Sequence, residues 1–227
     1  MDIELQYQER GTGYPLILLH GNGESHTYFK AQIDCFSAFY RVIAIDTRGH
    51  GDSPRGTAPF TIAQFAEDLH KFLCAHDIER ANLLGFSDGG NIALVFAMKY
   101  PDKVHKLIVN GANLDASGVK PTVQVPITIG YWLASLFAKK SPAARANAEL
   151  LGLMVKDPNL RKEDLAKIRC KTLVIAGTRD LIKLPHTQAI HAGIRDSRLV
   201  ILEGDHFVAN KHPEEFNRAV QEFLTDG

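Results

Sequence analysis

The chain is 227 residues long, enough for one large domain with a sizeable core or for a domain carrying an insertion. Acidic and basic side chains balance at 26 each with no block of like charge, which argues against nucleic acid or a membrane surface as partner and leaves a small molecule. Cys35, Cys74 and Cys170 are odd in number and widely spaced, no basic, apolar leader opens the sequence, and no apolar stretch approaches the roughly 20 residues that cross a bilayer; the expectation is a reduced, cytoplasmic chain without disulfides.

In chain order, Ile3 to Gln8 alternates weakly and reads as an edge strand. Leu16 to Leu19 and Val42 to Ile45 are continuous apolar runs, the pattern of strands buried on both faces. Ser25 reads as the cap of a helix reaching into the thirties, and Thr61, with Gln64 three residues on, opens a helix to about His76. Strand Ala81 to Leu84, a helix from Asp88 to Tyr100 stopped by Pro101, and strand Lys106 to Val109 follow. The rhythm resumes with strand Thr172 to Ala176, a helix after Pro185, strand Arg198 to Leu202 and a last helix from about Pro213 to Leu224. Seven strands alternating with helices predict an α/β fold, a mostly parallel central sheet flanked by helices on both faces.

One stretch breaks the rhythm. Between 114 and 167 no strand is legible, while Ile127 to Lys139 and Ala143 to Val155 look helical, so a single domain over 1–227 is expected to carry 114–167 as a short inserted helical cap. Its apolar residues, Tyr131, Trp132, Leu133, Leu136, Phe137 and Met154, either cover a site at the strand ends or simply pack the insertion onto the core.

The chemistry is concentrated where strands end. Gly85-Phe86-Ser87-Asp88-Gly89 lies between a strand and a helix; a strand that reverses sharply into a helix crowds its turn residue, so glycines flank it and the serine hydroxyl is left exposed. Ser87 is the candidate nucleophile and needs a base. Among ten histidines, His206 in Gly204-Asp205-His206-Phe207 follows the last strand and projects from the same sheet edge as Ser87. His20 reads as a backbone-shaping residue of a glycine-rich turn, and His50, His76 and His191 read as solvated surface histidines. Asp180, after strand Thr172 to Ala176, is the candidate orienter of His206, with a plain turn aspartate as the alternative. For negative charge on a carbonyl oxygen, the backbone N–H of Asn22, in His20-Gly21-Asn22-Gly23, pairs with that of Asp88 at the helix start as a candidate oxyanion hole. The histidines and carboxylates lack the spacing of a catalytic zinc site, so no metal and no organic cofactor are expected.

These segments, with Asp46-Thr47-Arg48-Gly49-His50-Gly51-Asp52-Ser53, resemble the α/β-hydrolase superfamily along nearly the whole chain. The resemblance implies a sheet of about eight strands and a structural loop at 46–53. Ser87-Asp88-Gly89-Gly90, Lys99 to Lys106 and Gly111-Ala112-Asn113 look most like the biphenyl-hydrolase-like, valacyclovirase-type serine esterases, a resemblance that implies Asp88 holds a substrate amino group. An acid in a helix's first turn is also favoured by the helix dipole whatever the ligand. The expected activity is hydrolysis of small carboxylic esters through a Ser87 acyl-enzyme, with Asp88, Trp132, Phe137 and Phe207 as candidate substrate contacts. Lactone, thioester and carbon-carbon hydrolysis, perhydrolysis, or a slow-turnover ligand receptor remain alternatives on the same constellation, and the oligomeric state is not legible.

Overall fold

The continuous apolar runs become the centre of the sheet. The computed structural model describes residues 2–226. Among them the strands are β1 (Tyr7–Arg10), β2 (Pro15–Leu19), β3 (Arg41–Ile45), β4 (Ala81–Phe86), β5 (Val104–Asn110), β6 (Lys171–Gly177) and β7 (Ser197–Leu202). They lie side by side in the order β1-β3-β2-β4-β5-β6-β7. Only β1 runs antiparallel, against β3; every other neighbouring pair is parallel.

Strand geometry sends alternate side chains to opposite faces, and the core divides accordingly. Ile17, Leu19, Ile43, Ile45, Leu83, Leu107 and Val109 pack on one side with α2 (Ile62–Ala75) and α3 (Asp88–Lys99). Leu16, Leu18, Val42, Ala44, Leu84 and Ile108 pack on the other with α1 (Lys30–Phe36) and the C-terminal α8 (Pro213–Thr225). The remaining helices are α4 (Pro121–Phe137), α5 (Pro142–Lys156), α6 (Leu184–Gly193) and the short α7 (Val208–Lys211). Among the described residues no helix is long and apolar enough to cross a membrane.

The boundaries differ from the sequence expectation where backbone partners, not side chains, decide them. Ile3 and Leu5 are buried as the alternation implied, yet the first strand starts at Tyr7. Upstream, the Gln6 N–H is taken by the Ser53 hydroxyl instead of a ladder partner. Ser25 caps a short 3-10 turn, His26–Phe29, that precedes α1. In the insertion the first helix starts at Pro121, not Ile127: Pro121 sits in the first turn, where its missing N–H costs nothing, and Pro126 is carried inside the helix.

Two further readings need correction or detail. His50 is not a surface residue but is buried, its Nδ1 bonded to the Arg48 carbonyl at 3.0 Å and its ring stacked near Phe60. The loop at 46–53 is a buried polar knot: Arg48 pairs with both Asp68 and Asp2, and Asp46 accepts from the N–H groups of His26 and Asp52. This knot fixes the chain between β3 and α2. The helical stretch between β5 and β6 is pinned at its base, where Lys120 N–H bonds Leu181 O at 2.9 Å, Lys183 N–H bonds Gly118 O at 2.7 Å and Leu160 N–H bonds Leu114 O at 2.7 Å.

Candidate active site

Backbone crowding builds the site. Ser87 stands between β4 and α3 with φ 53° and ψ −119°, a left-handed conformation that a residue with a Cβ adopts only when its surroundings impose it. A Cβ on Gly85 would lie 2.2 Å from the Gly89 carbonyl oxygen, and one on Gly89 would lie 1.9 Å from that of Leu19. The strand, the turn and the helix therefore touch backbone to backbone. Ser87 N–H donates to Asn110 O at 2.8 Å, which ties the turn to the end of β5.

His206 follows β7, and its Nε2 lies 3.1 Å from Ser87 Oγ. Its Nδ1 lies 2.7 Å from Asp180 Oδ1. An ionised carboxylate only accepts, so Nδ1 carries the proton and Nε2 is free to accept from the serine hydroxyl. Asp180 is itself held, Oδ1 accepting from Ile182 N–H at 2.9 Å and Oδ2 from Gly177 N–H at 3.3 Å. Both Asp180 and His206 are buried. The imidazole is walled by Phe86, with ring centroids 4.9 Å apart, and rests on Gly111, where a Cβ would come within 2.6 Å of His206 Cε1. Gly111 has φ 65°, so both conformation and space require glycine there.

The turn after β2 is fixed by His20. Its Nε2 accepts from Thr47 N–H at 3.0 Å and its Nδ1 donates to Gly21 O at 2.7 Å, one neutral tautomer satisfied at both ends. Burial holds its pKa down to about 4. Asn22 beyond it lines the cavity over Ser87, while its side-chain amide reaches out to the Leu150 carbonyl of α5 at 2.8 Å. Asp88 opens α3, so its N–H is one of the first-turn amides that an α-helix leaves without an intrahelical partner.

The Asp88 carboxyl is buried beside the nucleophile. Oδ1 accepts from Asn91 Nδ2 at 3.2 Å; Oδ2 makes no hydrogen bond, although the Asn22 amide stands close enough to favour its charge. Burial pushes its pKa up to about 6, with the Asp157 carboxylate adding to the rise. A second acid, Glu24, was not singled out from the sequence. It lines the cavity, accepts from Gly21 N–H at 3.2 Å, and is lifted to about 6 by burial. A lone acid after a glycine turn has no periodicity to betray it.

The cavity over Ser87 measures about 160 Å³ and is walled by Asn22, Glu24, Phe86, Met154, Leu181 and Phe207. Of the residues expected to contact substrate, Phe207 is there; Asp88 is adjacent in the chain to Ser87 but its carboxyl is buried and does not form part of that wall. Trp132 and Phe137 are not there: both lie well exposed on α4, away from the cavity wall. Helix α5 supplies Met154 in their place. Among the described residues no three His, Cys, Asp or Glu side chains gather as a metal ion would require.

The model of the alpha/beta hydrolase fold matches residues 14–145, more than half of the chain. The chain belongs to the α/β-hydrolase family. Among its relatives in that family, the human serine hydrolase BPHL is 29% identical, the match covering 98% of this chain and 83% of that protein. RutD of a Caulobacter species, a protein named for carbamate hydrolysis, is 30% identical over 92% of this chain and 90% of its own. The crystal structure of the enol-lactonase from Burkholderia xenovorans superposes on this α/β-hydrolase with a TM-score of 0.84 at 23% identity, covering 99% of this chain and 97% of that one.

Proposed function

We propose that this hydrolase cleaves small carboxylic esters through an acyl-enzyme on Ser87, and that it favours substrates bearing an amino group. The observation that carries the reading is the unbroken line of hydrogen bonds from Ser87 Oγ through His206 to Asp180. His206 Nε2 takes the hydroxyl proton as Ser87 Oγ bonds to the ester carbonyl carbon. Charge collecting on the carbonyl oxygen is met by the N–H groups of Asn22 and Asp88, and Asp180 steadies the imidazolium. The C–O bond then breaks, the proton on Nε2 passes to the departing alcohol, and a water attacks the acyl-serine by the same route to release the acid.

Two features support the finer parts of this reading. A cavity of about 160 Å³ is well below the roughly 300 to 1,000 Å³ of sites that take drug-sized ligands, which favours a short acyl group. The unbonded Oδ2 of Asp88, buried next to the nucleophile, favours a substrate ammonium: in so dry a setting a carboxylate gains most from a cation that hydrogen-bonds to it. A carbamate N–H would offer the same oxygen only a weaker, uncharged donor.

Ser87→Ala should lower turnover of p-nitrophenyl acetate by at least about 1,000-fold with folding intact by circular dichroism. Activity near wild type in that variant would end the proposal. Replacing acetate by octanoate should cost at least about 10-fold in kcat/KM; equal rates would remove the short-acyl part.

A further inference from the structure

Helix α4 is the anomaly of the molecule. It contains no charged residue from Pro121 to Phe137 and none of its residues is buried. One side lies on α5, where Gly130 allows Leu151 to approach. The opposite side carries Val125, Ile129, Trp132, Leu133, Leu136 and Phe137, each between 54% and 71% exposed. So large a contiguous apolar face is normally covered by a partner. Among the described residues nothing covers that face.

The spacing of the exposed residues indicates what does. Positions 125, 129, 132 and 136 advance by four, three and four, the step that keeps a seam of side chains facing another helix, and Leu133 and Phe137 widen the seam on one flank. The six side chains present roughly 700 Å² per copy, so two copies would bury about 1,400 Å², inside the range of stable interfaces of about 1,200 to 2,000 Å². An uncharged patch can meet itself without like charges opposing, as a two-fold contact demands.

We infer that α4 is the core of a homodimer interface, in which the exposed face of α4 in one copy packs against α4 of a second across a two-fold axis, each backed by its own α5. A lipid surface is the rival occupant, since Lys120, Lys139, Lys140 and Arg145 flank the helix. Helices that lie on anionic membranes carry their basic residues along the apolar stripe, on a polar face turned to the headgroups. In this helix the charges sit beyond the ends, and the far face is taken by α5. The contact reaches the site through α5, whose Met154 walls the cavity and whose Leu150 carbonyl holds the Asn22 side chain.

Trp132 is the only tryptophan in the chain, so its emission reports on this face alone. Sedimentation velocity at about 50 µM should give twice the 25.1 kDa chain mass, and Trp132 emission should move to the blue as concentration rises. Leu136→Glu and Ile129→Lys, both at exposed positions, should each return the protein to monomers. A monomer at that concentration overturns the inference. So does a dimer that survives both substitutions, or a blue shift that appears only when vesicles containing phosphatidylglycerol are added to a monomer.

Discussion

Glycine has opposite meanings in two regions of this molecule. At the strand ends, Gly85, Gly89 and Gly111 sit where a single added carbon would collide with backbone or with the imidazole, at 2.2, 1.9 and 2.6 Å. In the insertion, Gly130 would meet only the tip of Leu151, at 3.3 Å. The proposed chemical apparatus is therefore set by contacts that cannot yield. The helices beside it are held by contacts that can. Positional accuracy is what transition-state stabilisation needs, whereas the cavity wall contributed by α5 can be altered without disturbing Ser87, His206 or Asp180.

The contrast predicts a graded series for small changes. Gly89→Ala should be the most damaging, costing about 3 kcal/mol or more in urea unfolding, because β2 and α3 must separate to admit the methyl group. A midpoint near wild type would show that the turn is softer than its contacts imply. Gly111→Ala should fold with a smaller loss, about 1 to 2 kcal/mol from its left-handed backbone, yet lose roughly 100-fold in kcat as the imidazole is displaced. If kcat and stability fall in step, the His206 seat has no special part in turnover.

Asp88→Asn should separate stability from selectivity. Burial lifts the folded-state pKa of Asp88 to about 6, above the unfolded value. The folded state thus binds the proton more tightly, and the stability this gives is complete below about pH 4 and lost as pH rises through 6. At pH 7.5 the Asn variant should be more stable than wild type by about 1 to 3 kcal/mol, with the gap closing near pH 4. Its kcat/KM ratio for an amino-acid ester over the matching desamino ester should fall about 10-fold or more, and the wild-type ratio should decline below about pH 6 as the carboxyl protonates. The ratio cancels pH effects on the steps that both substrates share. An unchanged ratio would leave Asp88 as a helix-terminus acid only.

Gly130→Ala should have the smallest effect. The Leu151 side chain can swing aside, and an interior helix position prefers alanine by about 1 kcal/mol, so unfolding should shift by no more than that and toward greater stability. A large loss there would mean the insertion is as tightly fixed as the strand ends.

The same divide governs what could be read before the structure. Leu16 to Leu19 and Val42 to Ile45 announced their strands because burial on both faces leaves no polar residue to interrupt the run. The placement of Asp180 and His206 near Ser87 was legible because each follows a predicted strand, and parallel strands deliver their C-terminal ends to one edge. Trp132 and Phe137 were misplaced for the complementary reason. Helix α4 carries no charged residue, and its polar Gln124 is turned to the Met154 carbonyl of α5, so periodicity could not say which side of α4 met the protein. His50 was misread because its partners, Thr47 and the Arg48 carbonyl, come from a loop fold that no repeat encodes. Glu24 escaped notice because its place in the cavity depends on how the turn after β2 folds back, not on any pattern in the chain.

The doubly bonded ring of His20 has a consequence for spectroscopy. With Nε2 accepting from Thr47 and Nδ1 donating to Gly21, and with its pKa held down to about 4, this imidazole should keep one tautomer and one set of nitrogen chemical shifts across neutral pH. It would serve as an internal reference a short way from the nucleophile. Any pH-dependent movement of its signals would then report displacement of the turn after β2 itself, not titration of the ring.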